Sequence, residues 1–253
     1  MLTIALPNGT LQKAILQLFL AIGIELPKPT RQHWVRVDHD LIAQIVWMRP
    51  QHIPEMIYHG IVDLGITGLD CYYEWFYQNN PTINNREYFL RSLPSTYHPG
   101  CNLDDSLAEI RAAAEGRAKI ALVGPDTEEP WGVLEKIEKG TKVLSEFPFW
   151  TKRDLLREAD VVFSYGSVEA MVPKRYPYGI TVVASGKSLR ENRLHVIQEL
   201  GISTTKLFIR PKGPNTGQAW QHVVNLLARK IIALREEYSD KDKHMNSLWS
   251  DWK

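Results

Sequence analysis

The sequence has little of three things: cysteine, long apolar runs and net charge. Its two cysteines, Cys71 and Cys101, lie far apart and outside any C-x-x-C pattern. This excludes a disulfide-rich scaffold and favours two buried thiols in a reducing cytosol, with one structural disulfide as the alternative. No apolar run reaches the roughly 18–20 residues that cross a bilayer. The formal net charge is +1, which argues against a general grip on nucleic-acid phosphates.

Signals for export and for a protein-bound metal are also missing. The first residues, MLTIALPNGT, enter a strand and a turn without a basic segment, so we expect no signal peptide and a cytoplasmic protein. The eight histidines show no HExxH-like spacing. His52 and His59 are seven residues apart with no third ligand near them, so we interpret them as ordinary helix residues. The sequence therefore predicts no metal site built from side chains.

What the sequence does contain is an alternation of strand and helix patterns. A strand at 2–6 precedes a helical apolar repeat at 11–22, and a second alternating series runs from 119 to 164. Further strands are predicted at 33–37, 42–48, 61–66 and 86–93, and further helices at 103–116, 131–139, 152–159 and 217–238. This indicates an α/β fold with mixed, mostly parallel sheets. We predict a discontinuous domain I at 1–93 plus 185–211, an inserted domain II at 94–184, and a C-terminal helix and tail at 212–253. A ligand cleft between two such domains is the expectation.

Three turns that follow strands contain glycine and suit a phosphate. They are residues 7–10 (PNGT), 63–70 (DLGITGLD) and 185–188 (SGKS). In the last, Gly186 permits close approach, Ser185 and Ser188 offer hydroxyls, and Lys187 offers charge beside a helix N-terminus. Without the upstream Walker glycine, an ordinary strand-to-helix turn is an equal interpretation. Glu169, Lys152 and Arg153 are charged candidates for which an exposed surface position is the plain alternative.

The order and wording of these segments resemble the ATP phosphoribosyltransferases. That family opens with a turn like ALPKGRL, and residues 5–11 read ALPNGTL. Its DLGITGxD stretch is intact at 63–70, and its segment like TEYPNLTR resembles residues 145–152, SEFPFWTK. A GAxEA segment resembles residues 166–170, and the phosphoribosyl loop resembles residues 181–192. The similarity covers roughly residues 1–211.

The resemblance implies a two-lobed fold of the type II periplasmic-binding-protein kind and a specific reaction. The phosphoribosyl group of phosphoribosyl pyrophosphate (PRPP) would move to N1 of ATP, with release of pyrophosphate and with Mg²⁺ accompanying the donor. It implies catalytic roles for Glu169 and Lys187. The implied PRPP loop comprises Thr181, Ser185, Gly186, Lys187, Ser188 and Leu189. The implied nucleotide contacts are Asn8, Gly9, Thr10, Arg49, Thr67, Gly68, Asp70, Lys152 and Arg153.

Several charges differ from the family pattern. Thr181 stands where an acid usually begins the phosphoribosyl loop, so charge-assisted bonds to ribose would weaken. Asn8 replaces a lysine, Thr10 an arginine and His52 an aspartate. These changes leave two alternatives to the ATP reaction open. One is a PRPP-dependent transferase that acts on another base or heterocycle, and the other is a non-catalytic binding or regulatory homologue.

The C-terminal segment bears on partners. Residues 212–253 are too few for the βαββαβ regulatory module of long family members, because its strands and helices alone need more than roughly 40 residues. The chain therefore resembles the short form, which implies a histidyl-tRNA-synthetase-like regulatory subunit, with a homodimer as the alternative. No nucleic-acid or membrane partner is expected.

Overall fold

A computed structural model describes residues 1–21, 23–80, 118–127, 137, 139–155, 159–183, 186–203 and 205–209. These residues belong to two compact units. The first unit contains Met1–Thr67 and, later in the chain, the strand that starts at Thr205. The second unit contains residues 68–80 and the described residues from 118 to 203. Within these ranges no helix has the length and apolar character needed to cross a membrane.

The described elements are ten strands and six helices. The strands are β1 (Leu2–Pro7), β2 (Trp34–Arg36), β3 (Ile42–Met48), β4 (Leu64–Gly68), β5 (Ala118–Pro125), β6 (Lys142–Ser145), β7 (Asp160–Phe163), β8 (Tyr178–Val183), β9 (Leu194–Ser203) and β10 (Thr205–Ile209). The helices are α1 (Gln12–Ala21), α2 (Ile53–Tyr58), α3 (Leu69–Asn79), α4 (Pro148–Trp150), α5 (Val168–Met171) and α6 (Lys187–Glu191). Short 3₁₀ turns at Gly9–Leu11 and Pro50–His52 precede α1 and α2, and a π-helical turn at Thr151–Leu155 follows α4.

The first unit is built on a five-stranded sheet of order β10-β4-β1-β3-β2. Strand β1 runs parallel to β3 and β4, whereas β2 is antiparallel to β3. Helix α1 buries Ile15 and Leu18 in the same apolar cluster as Ile4 and Leu64 because its apolar residues recur at helical spacing. Each such buried side chain contributes about 1.5–3 kcal/mol.

Gly65 shows how tightly α2 packs on this sheet. A Cβ atom at that position would lie 2.5 Å from Cγ2 of Ile53 and 3.0 Å from Cδ1 of Ile57. The glycine in the DLGITGLD stretch at 65 therefore lets α2 approach β4 closely, which is a packing requirement rather than a ligand contact.

The second unit is built on another five-stranded sheet, of order β7-β6-β8-β5-β9. Strand β6 runs parallel to β7 and β8, and β5 runs antiparallel to β8 and β9. The helices α5 and α6 contribute Val168 and Leu189 to the apolar cluster that contains Val123 and Leu144. Two mixed sheets, each with helices, confirm the predicted α/β fold class.

The predicted boundaries differ from the structure in several places. Residues 68–80, expected in domain I, belong to the second unit. The strand expected from Ile61 begins at Leu64, because the backbone N–H groups of Ile61 and Val62 bond to the Met56 carbonyl in a turn. The segment 185–211, expected in domain I, is divided, because β9 pairs with β5 in the second sheet and only β10 joins the first. The helix expected from Lys152 starts instead as the π-helical turn at Thr151–Leu155.

Other predicted elements lie outside the described residues. These are the strand at 86–93, the helix at 103–116, most of the helix at 131–139 and the C-terminal helix at 217–238. Cys101 lies outside them as well, whereas Cys71 is a buried thiol on α3.

Candidate functional site

In the first unit, the carboxyl ends of β1 and β3 lie side by side. Pro7 is in register with Met48, and the backbone N–H of Asn8 donates to the Met48 carbonyl at 2.8 Å. Gly9 follows with a φ of +83°, a conformation that favours glycine. The structure thus brings the predicted residues Asn8 and Gly9 to the same sheet edge as Arg49, the residue after β3. The side chain of Thr10 is outside the described residues.

Thr67 and Arg49 have different environments at this edge. The fully buried hydroxyl of Thr67 donates to the Pro50 carbonyl at 2.8 Å. Arg49 is exposed and extended, with a φ of −67° and a ψ of 136°, immediately before the 3₁₀ turn that Pro50 opens. Thr67 was predicted to contact the nucleotide. In the structure its hydroxyl bonds to the Pro50 carbonyl and so stabilises the turn beside Arg49. The exposed guanidinium is the group available to an anion.

In the second unit, Asp70 lies in the first turn of α3 and is buried. Ser203 donates a hydrogen bond to its Oδ1, and the Cys71 thiol donates to its Oδ2 at 3.6 Å. Burial raises the pKa of the Asp70 carboxyl, and the hydrogen bond from Ser203 opposes that shift. The neighbouring Gly68 leaves room for this carboxylate, because a Cβ there would collide with Oδ1 of Asp70.

A further carboxylate of this unit was not among the predicted site residues. Glu146 follows β6, and its Oε1 accepts a hydrogen bond from the Thr181 hydroxyl at 2.8 Å. Burial raises the pKa of Glu146, the bond from Thr181 lowers it, and the charges of Glu169 and Asp70 raise it further. Glu169 and Asp70 are therefore close enough to Glu146 to influence the protonation of its carboxyl.

The register of the sheet explains why Glu146 meets Thr181. Strands β6 and β8 are parallel, and Ser145 pairs with Ile180, so the next residues of the two strands stand side by side. Thr181 is 3% exposed, which directs its hydroxyl to a protein acceptor rather than to water. Glu146 lies within the segment 145–152 that carries the family resemblance, but its contact depends on pairing with a strand 35 residues away.

Glu169 and the turn at Gly186 lie before and after strand β8 in the sequence. Glu169 lies in the first turn of α5, after Ser167, which has a left-handed φ of 57°. After β8, Gly186 has a φ of +67° and begins α6. Lys187 and Ser188 are exposed there, and Nζ of Lys187 lies 3.8 Å from Oε1 of Glu191. Leu189, predicted in the PRPP loop, is buried in the apolar cluster, so its side chain anchors α6.

The remaining predicted site residues are two cations and a serine. Lys152 is exposed and Arg153 is half-buried on the π-helical turn after α4. Ser185 lies outside the described residues. Among the residues that are described, no group of three or more histidine, cysteine, aspartate or glutamate side chains could hold a metal ion.

Comparisons with known proteins point to one family. The family model for ATP phosphoribosyltransferase (HisG) matches residues 49–232. An ATP phosphoribosyltransferase of Thermodesulfovibrio yellowstonii is 27% identical over 225 residues, covering 87% of this chain but only 66% of the relative's length. One of Caldicellulosiruptor saccharolyticus is 28% identical over 242 residues, covering 92% of this chain and 100% of the relative.

Solved structures show the same fold. The ATP phosphoribosyl transferase (HisG:HisZ) complex from Thermotoga maritima aligns with a TM-score of 0.64 at 18% identity, covering 94% of this chain and 100% of that one. A histidine kinase sensor domain similar to periplasmic binding proteins aligns with a TM-score of 0.52 at 9% identity, covering 98% and 95%. These likenesses confirm the periplasmic-binding-protein-like fold. Since the family model spans more than half of the chain, the protein belongs to the ATP phosphoribosyltransferase family.

Proposed function

We propose that this protein transfers the phosphoribosyl group of PRPP to N1 of ATP and releases pyrophosphate, the first step of histidine biosynthesis. Membership of the family supports the reaction class. The structural observation that carries the proposal is the hydrogen bond between Thr181 and Glu146, next to Glu169. It places the carboxylate of Glu146 beside the position where the family pattern has an acid and this chain has a threonine.

These carboxylates suit the chemistry of the sugar. When the bond to pyrophosphate breaks, positive charge develops on the ribose ring, and fixed negative groups stabilise such a transition state. Glu146 and Glu169 are the groups we assign to the ribose, through its hydroxyls or its developing charge. Thr181 fixes the orientation of Glu146 by donating to Oε1 and leaves Oε2 for another donor.

The turn at Gly186 suits the 5′-phosphate of PRPP. The left-handed Gly186 starts α6, and the first N–H groups of a helix lack acceptors within that helix. We assign the backbone N–H groups of Lys187, Ser188 and Leu189, together with the Ser188 hydroxyl, to the phosphate. Lys187 adds positive charge that favours the leaving pyrophosphate. Ser185 lies outside the described residues and is assigned to this loop from the sequence alone.

The acceptor nucleotide is assigned to cationic and small residues. Arg49 is an exposed cation of the first unit at the same sheet edge as Asn8 and Gly9, and Thr10 belongs to the turn that contains Gly9. Lys152 and Arg153 are cations of the second unit that we assign to anionic substrate groups. Gly68 and Asp70 act indirectly in this assignment, because Asp70 is buried against Ser203.

Mg²⁺ is expected to arrive with the donor. The described side chains form no protein cage for a metal, and Mg²⁺ commonly keeps several waters while it binds substrate phosphates. The ion would therefore take its ligands mainly from the pyrophosphate of PRPP and from water, where it would neutralise the leaving group's charge.

We propose a cytoplasmic enzyme that works with a histidyl-tRNA-synthetase-like regulatory subunit. The ATP phosphoribosyl transferase of Thermotoga maritima was solved as a HisG:HisZ complex, which supports such a partner. A homodimer without that subunit is the alternative. Light scattering of the protein alone tests for the dimer. Activity that appears only when the partner subunit is added would favour the complex with the regulatory subunit.

The deciding experiment is pyrophosphate release from PRPP with Mg²⁺, first with ATP and then with a panel of other bases. Release that depends on ATP supports the proposed reaction. Release only with another acceptor would favour the diverged transferase, for which Asn8, Thr10 and His52 are the motivating changes. No release with any acceptor, with and without a partner subunit, would favour a binding or regulatory role.

A further inference from the structure

Glu74 on α3 makes an unusual pair of contacts with a segment far away in the sequence. Its Oε1 accepts the backbone N–H of Phe149 at 3.2 Å, and its Oε2 accepts that of Trp150 at 3.0 Å. Each oxygen thus serves one N–H group, an arrangement that suits an ionised carboxylate with two acceptors. The two N–H groups belong to α4, where the first N–H groups of a helix have no internal partner.

The segment that Glu74 holds carries the charged groups assigned to substrate. Residues 146–153 include Glu146, whose carboxylate bonds to Thr181, and the cations Lys152 and Arg153. Two other contacts support its course. The Ser145 and Thr151 hydroxyls lie 2.8 Å apart, and the Trp150 ring packs 5.0 Å from that of Tyr73, the residue before Glu74.

Using the carboxylate of Glu74 to bind the N–H groups of α4 costs folding free energy. Burial raises the pKa of Glu74 to about 7, although the N–H groups of Trp150 and Phe149 favour the ionised form. Other titratable or charged groups on α3 and on the segment around α4 are Asp70, Cys71, Tyr72, Tyr73, Tyr77, Glu146, Lys152 and Arg153. Burying a charge costs folding free energy unless its bonds compensate fully. Stability alone therefore gives no reason for a glutamate here.

We propose that Glu74 is a positioning residue, whose ionised carboxylate fixes α4 so that Glu146, Lys152 and Arg153 are held in place for PRPP and ATP. The inference rests on the proposed function for the identity of the substrates. The geometry itself, two N–H groups on the two oxygens of one carboxylate, is independent of it.

Protonation of Glu74 would release one of the two N–H groups. A protonated oxygen becomes a donor, so only one oxygen remains as a good acceptor for α4. As the pH falls below about 7, the segment should loosen and the KM for PRPP should rise about tenfold, with a smaller change in kcat. Folding stability should move the opposite way. Because the folded pKa lies above the unfolded value of 4.5, ionisation of Glu74 removes stability as the pH rises from 4.5 through 7.

The test compares Glu74→Gln with Glu199→Gln, an exposed glutamate of β9. The amide of Glu74→Gln has one acceptor oxygen, so we expect its KM for PRPP to be about tenfold higher at pH 8 and nearly independent of pH between 6 and 8. The control should keep the wild-type KM and pH profile. A wild-type pH profile in Glu74→Gln overturns the proposal.

Nuclear magnetic resonance of the wild type provides a second readout that needs neither a variant nor turnover. The backbone N–H signals of Phe149 and Trp150 should titrate with a midpoint near 7. No titration of these signals overturns the proposal, and titration without a KM change in Glu74→Gln reduces Glu74 to a structural cap. If the wild type turns over no substrate, the proposed function fails on its own, and the calorimetric Kd for PRPP then replaces KM.

Discussion

The hydroxyl of Thr181 donates a 2.8 Å hydrogen bond to Oε1 of Glu146 across the parallel strands β6 and β8. In the family pattern an acid stands at 181, and there it would be a neighbour of Glu146 and would repel it. The threonine instead supports one carboxylate at this point of the strand pair. Because Glu146 matches the glutamate of the family segment TEYPNLTR, the replacement removes one of two acids and leaves the carboxylate that follows β6.

The first prediction concerns variants in which the side chains of Glu146 and Thr181 are replaced singly and together. Glu146→Gln should raise the Kd for PRPP about tenfold or more, because it removes a charged acceptor for the ribose. Thr181→Asp alone should also weaken binding, since it places a second carboxylate beside Glu146. The double variant Glu146→Gln with Thr181→Asp should recover part of the affinity, because it restores a single carboxylate. Isothermal calorimetry with PRPP measures all three.

Glu199→Gln is the matched control, because it neutralises an exposed glutamate in the same sheet. Its PRPP affinity should equal that of the wild type. Unchanged affinity in Glu146→Gln would remove Glu146 from the ribose site, and a double variant weaker than both single ones would show that a carboxylate at 181 cannot replace Glu146.

A second prediction concerns the turn after β8. Gly186 has a φ of +67° and Gly140 a φ of +91°. Alanine in the left-handed region costs roughly 1–2 kcal/mol, so Gly186→Ala and Gly140→Ala should each lose stability by about that amount. Only Gly186→Ala should lose PRPP binding, because its Cβ would stand 3.3 Å from Nη1 of Arg190 at the proposed phosphate loop. Ser188→Ala should weaken binding without the strain.

Urea unfolding and PRPP calorimetry on the same samples separate the two effects. Among the described residues, no other atom lies within 4 Å of a Cβ built at Gly140, so that variant reports backbone strain. Equal PRPP affinity in Gly186→Ala, Ser188→Ala and the wild type would show that the donor phosphate binds elsewhere.

The limits of sequence reasoning follow from the range of each interaction. The strand Ile42–Met48 was predicted with its observed bounds because an apolar run ended by Arg49-Pro50 is a local signal. The bond between Thr181 and Glu146 depends on the register of two strands, and the one between Glu74 and Trp150 joins residues 76 apart. Neither has a local pattern. The glycine at 65, predicted as part of a ligand turn, proved to be a packing position for Ile53.

A third prediction concerns pH and the buried carboxyl of Asp70. Burial raises its pKa above the ordinary value of 3.8, so the folded state binds more protons than the unfolded state above that pH. The Asp70 contribution to stability therefore falls as the pH rises from about 4 through the folded pKa. Asp70→Asn keeps the side-chain shape and removes this dependence. Compared with the wild type, the variant should therefore become more stable as the pH rises from about 4 through the folded pKa of Asp70.

Urea unfolding at several pH values measures this difference, with Asp126→Asn as a control at an exposed position. The control should follow the wild-type curve across the whole range. Parallel curves for Asp70→Asn and the wild type would show that the Asp70 carboxyl has the same pKa in both states, contrary to its burial.

The fourth prediction tests whether the Thr67 hydroxyl acts through the turn at Pro50. Thr67→Val keeps the buried shape but removes the donor to the Pro50 carbonyl, which then keeps the N–H of Ile53 as a partner. The loss should be about 1 kcal/mol of stability, because a buried hydrogen bond contributes about that much. Thr67→Ser also loses about 1 kcal/mol, through its missing buried methyl group, but it retains the hydroxyl and therefore controls for the loss of the hydrogen bond. If Arg49 binds the nucleotide, a loosened turn should raise the KM for ATP severalfold in Thr67→Val while the KM for PRPP changes little. An equal rise in both KM values would instead indicate a general loss of folded structure, and an unchanged KM for ATP would disconnect the turn from nucleotide binding.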